Sequence, residues 1–95
     1  MKAVLVSQAA ARDVDRLEDW LRAKSPSAAI KAGKLLGEAF GSLADLSERV
    51  AVTDDKGQRE LIRRFGQGAY VIRYIVRPEA VIVTGVWHSL ENRPR

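Results

Sequence analysis

Apolar residues recur along this chain with two different periods, and the change from one to the other divides it into a helical part and a sheet part. Val4 to Ser7 reads first as a short strand. Beyond it Ala10, Val14, Leu17 and Leu21 follow three- and four-residue spacing, with Trp20 beside the stripe and Arg12, Asp13, Arg16 and Asp19 on other faces. That spacing predicts an amphipathic helix running through Ala9 to about Ala23, capped by the Ser7 hydroxyl. Ser25-Pro26-Ser27 then punctuates the chain: Ser25 suits an N-cap, and Pro26 at the first helical position forfeits no hydrogen bond. A second helix follows, with Ala29, Ala32, Leu35, Leu36, Ala39, Phe40 and Leu43 on its stripe and Lys31, Lys34 and Glu38 mostly off it. The short link at Lys24-Ser25 makes the pair an antiparallel hairpin. Gly33, Gly37 and Gly41 lie along one line of the second helix. This row reads either as a close-approach seam or as tolerated glycine.

Ser47 to Gln58 is polar, carrying Thr53-Asp54-Asp55-Lys56-Gly57, and reads as a loop. After it the period falls to two. Arg59 to Phe65, Ala69 to Val76 and Ala80 to His88 are rich in β-branched and aromatic residues, separated by Gly66-Gln67-Gly68 and Arg77-Pro78-Glu79. They predict an antiparallel meander. The order β-α-α-β-β-β implies one α+β domain over residues 1–95, an antiparallel sheet with the helical hairpin packed on one face. The other face and at least one strand edge remain open to a partner.

Composition narrows the function classes. With 46% apolar and 29% charged residues the 95-residue chain suits one globular core and excludes a disordered or fibrous protein. Absence of cysteine excludes a disulfide framework and a thiolate metal site and fits a cytoplasmic location. No apolar run approaches the roughly 20 residues of a membrane span, and the start lacks a signal-peptide pattern, so a soluble, unprocessed chain is expected. Sixteen Lys and Arg against twelve Asp and Glu leave a net charge of +4. The excess sits from Arg59 onward, which points to an anionic partner or to a solvated basic face.

Candidate chemistry is sparse. His88 is the single histidine, and as a strand-end residue it reads either as a hydrogen-bonded structural group or as an acid-base group. Without companion carboxylates it cannot form a metal site. Were Val76 to pair with Val81, alternation would bring Arg73 opposite Thr84, with Val86 and His88 further along the same face and Arg64 joining from the neighbouring strand. Trp87, Tyr70 and Tyr74 read as packing residues. Arg59, Arg63 and Arg64 are the more plausible contact residues.

Three segments carry a family resemblance: Arg59-Glu60-Leu61-Ile62, Tyr70-Val71-Ile72-Arg73-Tyr74, and Val81-Ile82-Val83 leading into Val86-Trp87-His88. They are similar to the C-terminal strands of the RelE/ParE toxin superfamily, most of all the ParE type, and Lys24-Ser25-Pro26-Ser27-Ala28-Ala29 resembles the turn between that superfamily's helices. The resemblance implies a toxin of a type II toxin-antitoxin or plasmid-stabilisation module, held by a cognate antitoxin, ParD-like or other. ParE-type members act on DNA gyrase, whereas RelE-type members cut messenger RNA on the ribosome. The fold does not choose between them.

Metal-independent RNA cleavage needs a base, an acid and cations around the phosphate. Superfamily nucleases place several Lys or Arg on the sheet and commonly a C-terminal Tyr or His. This chain has no lysine in its strands and no tyrosine after His88. The expectation is therefore a gyrase inhibitor without catalytic residues, cofactor or metal. The alternatives are a ribosome-dependent endoribonuclease using Arg64, Arg73 and His88, and a non-toxic antitoxin-binding module. An antitoxin segment is expected on an apolar groove at Leu17, Trp20, Leu21 and Phe40, its acids meeting Arg63 and Arg73. Arg59, Arg63, Arg64 and Arg93 are the expected target contacts.

Overall fold

The computed structural model describes residues 1–91. Six elements follow in order: β1 (Ala3–Val6), α1 (Gln8–Lys24), α2 (Pro26–Leu46), β2 (Gln58–Phe65), β3 (Gly68–Val76) and β4 (Ala80–His88). Both helices begin where their caps predict. Ser7 Oγ accepts the Ala10 N–H at 3.1 Å, and Ser25 Oγ accepts the Ala28 N–H at 3.3 Å. Ser25 also closes α1, because its own N–H donates to the Leu21 carbonyl at 2.6 Å. One residue thus satisfies orphan groups at both ends of the turn, which keeps the hairpin tight.

Ala10 and Leu17 of α1 are buried, together with Ala29, Ala32, Leu36, Ala39 and Leu43 of α2. The glycine row divides. A methyl group at Gly33 would lie 3.4 Å from the Glu18 carboxylate of α1, whereas at Gly37 and Gly41 it would meet nothing. Steps of four residues drift about 40° around a helix, so a row that starts at the helix seam turns outward.

The sheet order is β1-β4-β3-β2. The β2-β3-β4 meander is antiparallel, as its turns predict, while β1 runs parallel to β4 in the register Ala3↔Ala80 to Val6↔Val83. The sheet is therefore mixed. A hairpin of two helices carries the chain across one face, after which an odd number of meander strands returns it beside β1 in the same direction.

Between β3 and β4 the expected pair Val76↔Val81 forms, but the ladder shifts at Arg73/Tyr74. Tyr74 pairs with Val83 and Arg73 with Gly85, leaving Thr84 as the additional residue, its hydroxyl donating to the Arg73 carbonyl at 3.3 Å. A bulge of one residue exchanges the faces of everything beyond it. The helix-covered face then collects Tyr70, Ile72, Tyr74, Val81, Val83 and Val86, all buried. Tyr74 reaches across this core to donate to the Ser47 carbonyl at 2.7 Å, fixing the end of α2.

The polar loop is held by Asp54, whose carboxylate accepts the Lys56 and Gln58 N–H groups and the Gln58 side-chain amide. The Gln58 N–H bond is the main cause that lowers the Asp54 pKa from its ordinary value. Gly57, at φ +81°, supplies the left-handed residue that the turn needs.

Candidate partner-binding groove

α1 lies against β4, and the sequence of events at Val6 explains why. β1 is four residues long and β4 nine, so the outer edge of β4 is paired only as far as Val83. Ser7 donates its N–H to the Val83 carbonyl, and α1 then turns away. Asp13 Oδ2 accepts the Val86 N–H at 2.9 Å, and Arg16 Nη2 lies 3.5 Å from the Val86 carbonyl. Two helix side chains thus take the place of a missing strand. Nothing in the sequence marks them for this task apart from the brevity of the run before Ser7.

The second half of α1 leaves a groove of about 530 Å³ between itself and the β2–β3 turn. Leu17, Trp20 and Leu21 form one wall, Phe65, Gly66 and Gln67 another, and Tyr70, His88 and Leu90 lie between, with Arg16 and Glu91 as the charged members. Trp20 is 61% exposed and Leu90 67%, and both line the same groove, so they form part of one apolar patch rather than scattered exposed residues. Lys24 Nζ sits 4.8 Å from the centre of the Trp20 ring. Phe40 is not in the lining. It packs against the main core instead, and no residue of α2 lines the groove.

His88 forms the floor. Its ring meets Tyr70 edge-on at 5.1 Å, its Nε2 is 2.9 Å from the Phe65 carbonyl, and its Nδ1 accepts the Leu90 N–H at 3.2 Å. An Nδ1 that accepts requires the ring proton on Nε2, so both nitrogens are engaged and the tautomer follows from the network. Its backbone N–H donates to Glu91, and Glu91 is ion-paired with Arg16, which also lies 3.4 Å from Asp13. The C-terminal turn is thereby tied to α1. Burial raises the Tyr70 phenol above its ordinary pKa, with the Glu18 carboxylate adding to the rise.

The opposite sheet face holds different residues. Arg73 lies there, its guanidinium 2.8 Å from Glu60 and 4.9 Å from the centre of the buried Trp87 ring. The arrangement in which Arg73 faces Thr84 on the side of His88 is not formed, since the bulge sends Arg73 to one face and His88 to the other. The same shift places Val83 on the helix side, away from Trp87. Arg64 is exposed on the Arg73 face, whereas Arg63 pairs with Tyr70 on the helix side and turns its guanidinium to the Ile62 carbonyl at 3.1 Å. Arg59 is not an outward contact either: it donates to the Glu48 and Val50 carbonyls and pins the loop. Arg93 lies outside the described residues.

Among the described residues no group of three or more His, Cys, Asp or Glu could hold a metal ion. Among them, too, no helix is long and apolar enough to cross a membrane.

Comparison with known proteins agrees with this architecture. A family model described as the ParE toxin of the type II toxin-antitoxin system parDE matches residues 4–93. Toxin RelE1 of Caulobacter vibrioides is 44% identical over 90 residues, which cover 95% of this chain and 96% of that protein. Toxin RelE3 of the same organism is 38% identical over 96 residues, covering 98% and 100%. A solved chain of the chromosomal ParDE toxin-antitoxin system from P. aeruginosa superposes with a TM-score of 0.76 over 93% of this chain and 96% of its own, at 19% identity, a likeness of fold. Matched over nearly its whole length, the chain belongs to the ParE toxin family of type II toxin-antitoxin systems.

Proposed function

We propose that this toxin acts by binding DNA gyrase rather than by cutting RNA, and that a cognate antitoxin silences it by occupying the groove beside α1. The observation that carries the first half is the separation of the candidate nuclease residues. Arg73 is neutralised by Glu60 on one sheet face, while both ring nitrogens of His88 are engaged on the other. A general base must reach the proton it removes, and a cation must share its face to hold the developing charge. The groove supports the second half: Leu17, Trp20 and Leu21 offer an apolar strip suited to an amphipathic segment.

The relatives named RelE favour a second reading, a ribosome-dependent ribonuclease. Two assays on the purified chain separate them. Supercoiling by gyrase stops while ribosome-bound message stays intact if the first reading holds. Cleaved message with unimpaired gyrase overturns it.

A further inference from the structure

One face of α2 is left uncovered by the rest of the described chain. At about 100° per residue, Ala32, Leu36, Ala39 and Leu43 fall on one side of the helix and are buried, where α1 and the sheet pack on it. Ile30, Lys34, Gly37, Gly41 and Asp45 fall on the other side and are exposed, with the exposed Lys31 and Glu38 beside them. Ile30 is 74% exposed. A methyl group at Gly37 or Gly41 would meet nothing, so the backbone there is open to close approach. This face lies apart from the groove, whose lining takes no residue from α2.

The charges on the face are ordered. Lys31 and Lys34 stand in the first half of the helix, Glu38 and Asp45 in the second. Among the described residues no ion pair joins any of the four to another side chain. For α2 alone this order is unfavourable: Asp45 lies in the last turn, at the negative end of the helix dipole, and Lys34 precedes Glu38 by four residues, the weaker orientation of such a pair. A second α2 running antiparallel turns the same order to advantage, because each basic half then meets an acidic half.

We infer that this face pairs two copies of the chain, α2 against α2, about a two-fold axis that crosses the helices at Gly37. An antiparallel crossing there sets Lys31 beside the partner's Asp45 and Lys34 beside the partner's Glu38, each within about 3 Å along the axis of direct opposition. The two-fold repeats both pairs on the other side of the crossing. Ile30 comes against the partner's Ala44 and gives up its exposure to water. A single helix pair falls at the low end of specific interfaces, below roughly 1,200 Å² of total buried surface, so the dimer forms in the micromolar range and weakens with salt. Both grooves stay open, and one dimer has room for two antitoxins.

Sedimentation velocity on the full chain across the micromolar range reads the association. The unaltered chain passes from monomer to dimer as its concentration rises, and added salt reverses the change. Lys31→Glu with Lys34→Glu makes the face wholly acidic, Glu38→Lys with Asp45→Lys makes it wholly basic, and each set raises the dimer Kd at least about tenfold. All four positions are exposed and neither set worsens the match to the dipole of α2, so thermal melts of both variants follow the parent's. Mixing the two variants restores a dimer. Gly37→Cys puts one thiol into a chain without cysteine and gives a disulfide-linked dimer on mild oxidation, whereas Ile30→Cys does not, since the two copies of position 30 lie roughly 20 Å apart along the pair. A chain that stays monomeric throughout overturns the proposal, as does a dimer that ignores both reversals or a Gly37→Cys variant that fails to couple. A monomeric chain whose complex with the cognate antitoxin loosens on the same reversals overturns it too and gives the face to the antitoxin. The groove is judged apart, by Trp20→Ala, which leaves the dimer unchanged.

Discussion

The Asp13 carboxylate of α1 holds the backbone N–H of Val86 at 2.9 Å, so a helix side chain completes the hydrogen bonding of a strand that its parallel neighbour abandons three residues earlier. Val86 is fully buried, and its N–H has no water to turn to. Replacing Asp13 with Ala leaves a buried donor unsatisfied and costs about 2 kcal/mol, read as a lower midpoint in urea with an unchanged slope. Asp13→Asn keeps an acceptor and recovers part of that loss.

Alkali should unfold the protein through its tyrosines. Burial raises the pKa of both Tyr70 and Tyr74 above the ordinary 10.0, with the Glu18 carboxylate raising Tyr70 further and Arg59 partly offsetting the rise at Tyr74. The unfolded chain loses these protons first. Stability due to them is complete below about pH 10 and declines as pH climbs through the folded values. Urea midpoints measured from pH 8 to 11 show the decline, and Tyr74→Phe reduces it. At pH 8 the same variant costs about 1 kcal/mol through the lost bond to the Ser47 carbonyl.

His88 separates structural from catalytic use. With its ring bonded to Phe65 and Leu90, His88→Ala should lower stability by roughly 2 kcal/mol, yet growth inhibition per folded molecule stays unchanged. Loss of toxicity in a variant shown to be folded at the growth temperature points to the ribonuclease reading.

Gly68 is the tightest position in the hairpin. A methyl group there would come 2.5 Å from Ser89 Oγ and 2.8 Å from His88 Cε1, so Gly68→Ala displaces the C-terminal turn and costs about 1–3 kcal/mol. Gly66→Ala fails for another reason, since its φ of +64° strains any side chain by about 1 kcal/mol. Thermal melts of the two variants, with and without antitoxin, check both.

Trp20 contributes to binding rather than folding. Exposed over most of its surface, it can be truncated with a stability change within about 0.5 kcal/mol, while affinity for the antitoxin falls tenfold or more, as expected of an aromatic anchor. Calorimetry beside a thermal melt distinguishes the two effects.

Local rules make most of the fold legible in the sequence. Ser7, Ser25 and Pro26 announce the helix starts by a hydrogen-bonding need that lies within a few residues, and Gly66-Gln67 and Arg77-Pro78-Glu79 announce the turns of the meander. Leu17, Trp20 and Leu21 were readable as a groove wall because a helical stripe wider than its partner leaves apolar surface uncovered. Phe40 was not separable from them, since one periodicity serves both the core and the groove.

What a chain specifies on its own is whatever depends on neighbours a few residues apart: two capped helices, three paired runs, a basic second half and a family pattern. The tertiary structure decided the rest. The bulge at Thr84, one residue in length, placed Arg73 and His88 on opposite faces, and the early end of β1 turned Asp13 and Arg16 from surface charges into substitutes for a strand. Both depend on which backbone groups face each other across more than ten residues of sequence, a matter of register that side-chain alternation constrains only until the ladder slips.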